Sequence, residues 1–234
     1  MTVLLLRLKG PQQSWGVTSR FQTREAGTAP SKSGVIGLIA AAQGRARGSE
    51  LVDLAGLEFG IRVDQPGELL SDFHTARQNN QKKTMLSYRH YRQDAAYTAA
   101  LSGDSELLAA IGDALESPRF PLYLGRRSAP APVDLLGGIT DHDDVESALR
   151  DLEAAPWLAA EWHRKQVGRT VYLPLARDAR EGEDSESVQD VPVSFDPRHR
   201  VYLRRGVAWP EPVVVANPDG RQPVDVFFET VKGA

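Results

Sequence analysis

The sequence contains no cysteine among its 234 residues. Disulfides and thiolate metal centres are therefore excluded, and a reducing cytoplasmic setting is expected. Long apolar runs are missing too. The longest near-apolar stretch, Val35 to Ala42, falls far short of the roughly 18 residues that span a bilayer. The N-terminal apolar run is short and reads as a strand, so neither a signal peptide nor membrane contact is expected. There is no internal repeat and no Gly-x-Ser-x-Gly nucleophile motif. The histidines, 74, 90, 142, 163 and 199, are scattered rather than spaced as metal ligands.

With 41% hydrophobic residues, the chain can build one large core or two small ones. The net charge of −3 argues against a nucleic-acid partner, but its distribution argues for one. Residues 1–47 carry +6, residues 72–92 carry +4 and residues 118–128 carry +3, leaving −16 for the remainder. Basic segments on an acidic body form an electrostatic footprint for a polyanion.

Val3 to Leu8 predicts a first strand, over about 2–9, followed by a loop from Gly10 to Ser31. Loops of that length in compact domains are usually functional or disordered. Val35, Leu38, Ile39 and Ala42 predict a helix over about 33–43. Strands follow at 57–63 and 95–101, separated by a polar, basic segment at 72–92. Asp104 is placed to cap a helix that stops at Pro118, and a fourth strand is expected to begin at Leu122. The order β-α-β-insertion-β-α-β predicts an α+β, ferredoxin-like or RNA-recognition-motif-like fold. The expected division is a palm over 1–137, with a basic thumb hairpin at about 76–92, and a smaller β-rich region over 138–234. The acidic stretch 178–190 reads as a mobile loop.

The helix beginning at Pro30-Ser31-Lys32-Ser33-Gly34 places a cation where the helix dipole is already positive. That arrangement makes sense if a phosphate sits on the helix N-terminus, with Ser31, Lys32 and Ser33 around it and Arg20 and Arg24 upstream. Gly27 to Ser33 nearly forms a P-loop, but Ser31 stands where the glycine before the lysine belongs, which argues against nucleotide hydrolysis. Gln13, Ser14 and Trp15 form a polar, aromatic turn suited to a nucleotide. His74, Arg77, Lys82, Lys83 and Arg89 interleave with Phe73, Tyr88 and Tyr91, as in surfaces that stack bases and track phosphates. Arg126 and Arg127 follow a predicted strand, where adjacent side chains face opposite ways. Asp141 to Asp144 reads as a helix cap rather than a metal site. Trp157 and Trp162 read as packing residues.

The run Leu6-Arg7-Leu8-x-Gly10-Pro11-x-Gln13-Ser14-Trp15-Gly16, with Arg24 and Pro30-Ser31-Lys32-Ser33-Gly34-Val35-Ile36-Gly37-Leu38, resembles the CRISPR-associated CasD family. This is the E-subtype of the Cas-five group, a subunit of the type I-E Cascade complex. Asp72-Phe73-His74-Thr75, Arg89-x-Tyr91-x-x-Asp94-Ala95-x-Tyr97-Thr98 and Tyr123-Leu124-Gly125-Arg126-Arg127-Ser128 extend the resemblance across residues 3–128. The resemblance implies a non-catalytic subunit with a RAMP-type palm and no cofactor or metal. It implies that such a subunit grips the 5′ handle of the CRISPR RNA and caps the backbone filament. Its partners would be the backbone subunit beside the thumb, the large subunit at the same end and, indirectly, target DNA. Residues 10–34 and 125–128 would line the handle site. The alternative is a metal-independent endoribonuclease acting on repeat RNA, for which His74, His90, Lys82, Lys83 and Tyr88 supply the residue types.

Overall fold

The computed structural model describes residues 1–16, 19–20, 23–24, 27–76 and 85–221. The chain opens with β1 (Thr2–Lys9) and the short strands β2 (Gln12–Gln13), β3 (Ser19–Arg20) and β4 (Thr23–Arg24). Helices α1 (Lys32–Ala42) and α2 (Val52–Ala55) lead to β5 (Glu58–Gln65), β6 (Glu68–Ala76), β7 (Met85–Gln93) and β8 (Ala96–Ser102). Then come α3 (Ser105–Glu116), β9 (Leu136–Asp141), α4 (Val145–Arg150) and α5 (Glu161–Gln166). The strands β10 (Thr170–Leu173), β11 (Leu175–Asp178), β12 (Glu186–Ser194), β13 (Val201–Ala208) and β14 (Val213–Ala216) close the described chain.

The main sheet has the order β12-β13-β11-β5-β8-β1-β9, and every neighbouring pair is antiparallel. Both faces of its centre are covered, which explains why β1 is apolar without alternation. Leu4, Leu6 and Leu8 enter a core with α1 and α3, whereas Val3 and Leu5 enter a second core with α4 and the strands β10 and β14. Two of the helices start on the caps that their sequences predict. Asp104 accepts the Leu107 N–H at 2.9 Å at the head of α3, and Asp144 and Ser147 form a reciprocal cap on α4.

Two segments depart from the expectations. The segment at Leu122, expected to open a fourth strand, stays outside the main sheet, whose edge strand beside β1 is β9. Residues 122–131 instead form a closed turn, with Leu124 N–H on Ala129 O at 2.7 Å and a bridge between Tyr123 and Pro130. Pro121, Pro130 and Pro132 lack the N–H groups that a ladder needs, so this segment cannot run as a central strand. β9 spans residues 136–141, and β11, β13 and β12 extend the same sheet from the free edge of β5. Part of the acidic 178–190 stretch forms β12, because its carboxylates are the counter-charges of buried cations.

A second sheet stands apart from the main one. β6 and β7 pair along their whole length, from Glu68 opposite Gln93 to Ala76 opposite Met85. β7 also pairs with β2 and, in parallel, with β4. The basic insertion between β5 and β8 is therefore a hairpin, tied to the first loop by backbone hydrogen bonds.

Candidate nucleic-acid interface

An anion does sit at the N-terminus of α1, and it belongs to the chain itself. The backbone N–H of Lys32 donates to Asp190 Oδ2 at 2.8 Å, and the Lys32 ammonium meets Asp178 Oδ2 at 3.0 Å. Arg205 spans both carboxylates, with Nε on Asp190 at 2.7 Å and an N–H on Asp178 at 2.6 Å. Burial alone would lower the Arg205 pKa, but the hydrogen bonds and charges of Asp190 and Asp178 hold it above its ordinary value. Two cations and two carboxylates balance, and Lys32 is only 4% exposed. The sequence predicts a phosphate on Lys32; the structure gives it Asp178 instead. Ser31 is the N-cap, accepting the Gly34 N–H at 3.3 Å, and Ser33 Oγ lies 3.4 Å from its hydroxyl.

Gln13 and Trp15, expected to face a nucleotide, are interior: Gln13 is 0% and Trp15 1% exposed. The Gln13 amide donates to Leu8 O at 3.0 Å and Ala95 O at 2.7 Å, and its carbonyl accepts the indole N–H of Trp15 at 2.8 Å. The indole lies on the start of α1, where a Cβ on residue 34 would approach it to 2.8 Å, so Gly34 is needed for close approach rather than for a phosphate. Ser14 is nearly buried, and its hydroxyl donates to His90 O at 3.1 Å. These residues lock β1, β7 and α1 together.

The same turn positions Arg126 and Arg127. Ser14 N–H donates to Leu124 O at 3.0 Å, and Gly125 follows at φ +87°. A Cβ there would lie 1.9 Å from Ser14 O, so only glycine fits. The chain then delivers the Arg126 guanidinium over the Tyr91 ring, 4.6 Å from its centroid, and leaves Arg127 exposed. Tyr91 Oη lies 3.5 Å from Ser128 Oγ. Burial raises the Tyr91 pKa, but hydrogen bonds from Ser128 and Arg126, with the charges of Arg126 and Arg89, outweigh it and leave the phenol below its ordinary value. Arg89 faces the same side of β7 as Tyr91, and its buried Nε–H finds no acceptor among the described residues. Arg89, Tyr91, Arg126 and Arg127 thus make one cationic, aromatic corner. The sequence singles out the three arginines and counts Tyr91 among the interleaved aromatics, but only the fold brings Arg126 over its ring.

Other expected site residues are dispersed. His74 shares the Arg89 face and holds Asp72, with Nε2 2.7 Å from Oδ2. His90 and Tyr88 share the opposite face, and His74 is therefore separated from both across the hairpin. Arg20 and Arg24 lie on β3 and β4, beside β7, and only their backbone is described. Arg77, Lys82 and Lys83 fall outside the described residues. The far side of the hairpin exposes Leu69, Phe73, Leu86 and Tyr88. Trp157 donates to Asp64 O at 2.8 Å, whereas Trp162 is half exposed and edge-on to His163. Sequence reasoning also misses Arg62, which is fully buried against Asp64 at 2.8 Å and donates to the carbonyls of Leu149, Ala155 and Pro156. A lone arginine inside an apolar strand gives no sign of its partners.

A groove of about 630 Å³ runs beside α1. Its walls come from α1 and residues 45–47 after it, the 120–125 segment and the turn between β12 and β13. Among the described residues no three carboxylates or histidines gather as metal ligands, and no helix is long and apolar enough to cross a membrane.

Residues 3–208 match the family described as CRISPR-associated protein (Cas_Cas5). The chain belongs to this family. The match ends at the last residue of β13, so the family region includes the C-terminal strands of the main sheet. The CRISPR system Cascade subunit CasD of Escherichia coli (strain K12) is 33% identical over 171 residues, covering 64% of this chain and 76% of that protein. A solved structure described as a CRISPR RNA-guided surveillance complex aligns with a TM-score of 0.74 at 32% identity, over 99% of this chain and 98% of the other. Another, described as the crystal structure of a Cas protein, aligns with a TM-score of 0.60 at 32% identity, over 94% and 98% of the two chains. The chain is an α+β protein built mainly on antiparallel sheet, and its fold matches these structures.

Proposed function

We propose that this Cas5-family chain is a non-catalytic RNA-binding subunit of a Cascade-type surveillance complex. It grips the repeat-derived 5′ handle of the CRISPR RNA. The observation that carries this reading is the corner of Arg89, Tyr91, Arg126 and Arg127, where cations stand at an aromatic ring and one buried N–H awaits an acceptor. Arginine and an aromatic face together suit an unpaired nucleotide and its phosphate. The likeness to the surveillance-complex structure and to CasD supplies the ligand class.

The palm is ferredoxin-like in this reading. Support comes from the strand order β9-β1-β8-β5, which is the 4-1-3-2 arrangement of a split βαβ pair, with α1 and α3 on one face. RNA-recognition motifs stack bases on the open sheet face. Here α4, β10 and β14 cover that face, so the RNA contact moves to the hairpin sheet and the Gly125 turn. The outer apolar side of the hairpin faces the neighbouring backbone subunit, and the chain works in the cytoplasm, meeting the large subunit and target DNA through the assembled complex.

The test uses the full chain with labelled single-stranded repeat-handle RNA. An Arg126→Ala/Arg127→Ala double variant should bind roughly tenfold more weakly at low salt, with the salt slope reduced by about 1.4, or 0.7 per lost phosphate contact. Unchanged affinity and slope overturn the site. Site-specific cleavage of that RNA in EDTA overturns the non-catalytic assignment.

A further inference from the structure

The groove beside α1 has an unusual lining for a chain with more acidic than basic residues. Of its sixteen lining residues none is acidic, three are arginine and four are aromatic. Its floor is low, because α1 presents Gly37 and Ala41 there. Phe195 and Tyr202, edge to face at 6.4 Å, stand on the side of the β12–β13 turn, and Phe120 and Tyr123 stand on the other. Phe120 is 49% exposed, although a phenyl ring gains nothing from water. Arg45 is committed to Asp53. Arg47 and Arg200 are exposed and form no hydrogen bond or ion pair among the described residues. The volume lies within the roughly 300–1,000 Å³ of ligand-sized sites. Gly125 also lines the groove, and the chain passes from it directly into Arg126 and Arg127.

We infer that this groove is a second nucleotide-binding site, which takes an unstacked base of single-stranded RNA against Phe120 and Tyr202, with its phosphates on Arg47 and Arg200. The inference rests on the RNA-binding reading above and extends it from the Gly125 turn along α1. Cations alone would suit an acidic peptide equally well. Four aromatic rings beside cations favour a base, because every base has a π face to stack. A lining free of carboxylates, in a chain with 31 Asp and Glu residues, suits a phosphate backbone.

The experiment uses the full chain and a single-stranded handle RNA carrying 4-thiouridine. Irradiation should yield adducts on peptides containing Phe120, Tyr123 or Tyr202. Phe120→Ala should weaken binding roughly 5- to 150-fold, the range for losing one stacked base. Arg47→Gln/Arg200→Gln should lower the salt slope by about 1.4. Neither set should shift the melting temperature, since these side chains are exposed or at the rim. Adducts confined to residues 69–92 and 126–128, with both groove variants binding as wild type, overturn the groove site while leaving the corner intact. Loss of binding in the Arg126→Ala/Arg127→Ala variant alone excludes the groove in the same way. Binding of a polyglutamate peptide that depends on Arg47 and Arg200, with RNA affinity unaffected by them, also overturns it.

Discussion

Lys32 begins α1 and ends against Asp178, and the Lys32 backbone N–H binds Asp190. A cation in the first turn costs a helix free energy when the helix stands alone. Here carboxylates from β11 and β12 supply the negative charge that the dipole and the ammonium both need. Lys32→Ala would leave Asp178 short of one partner in a half-buried site. It should lower stability by about 3 kcal/mol, the order seen when one member of a buried pair is removed. The RNA salt slope should stay at its wild-type value; a drop would mean that Lys32 reaches the RNA. Trp15→Ala removes a fully buried indole and should cost about 3–5 kcal/mol, read by thermal or urea unfolding. An unchanged melting temperature with weakened RNA binding would return Trp15 to the interface.

At the scale of elements, the loop between β11 and β12 is held to β11 and α4 by charge. Arg177, on β11, takes Glu146 of α4 at 2.7 Å and both oxygens of Glu183 at 2.7 and 2.8 Å. The hydrogen bonds from Arg177 and from the Arg180 N–H hold the Glu183 carboxyl at about 2, well below its ordinary 4.5. Because the folded value is the lower one, this pair stabilises the fold above pH 4.5 and loses its effect as pH falls towards about 2. Glu183→Gln should therefore be less stable than wild type at pH 7. The two melting temperatures should converge as the solution is acidified across that window. A constant gap from pH 7 to pH 2.5 would exclude the ion pair as the cause.

At the scale of the molecule, the main sheet joins residues 2–9 to residues 201–208 through one ladder. Buried Arg62 ties β5 to the carbonyls after α4, so the two cores share their central strands. Far-ultraviolet and near-ultraviolet circular dichroism should report one coincident unfolding transition; two separated transitions would divide the chain near residue 137 after all. The sequence by itself determined the elements whose signals are local. Hydrophobic spacing placed α1, an Asp cap and a proline bounded α3, and apolar runs marked β1, β5 and β8. It also marked the basic insertion and the Arg126–Arg127 pair, because charge is legible without contacts. Only the tertiary structure decided which polar residues face inward. Gln13, Trp15 and Lys32 look like ligand contacts in one dimension. Their partners lie up to 158 positions away, and folding spends their hydrogen bonds on Ala95, Asp178 and Asp190. A buried polar group must find such a partner, and no local pattern announces where it comes from.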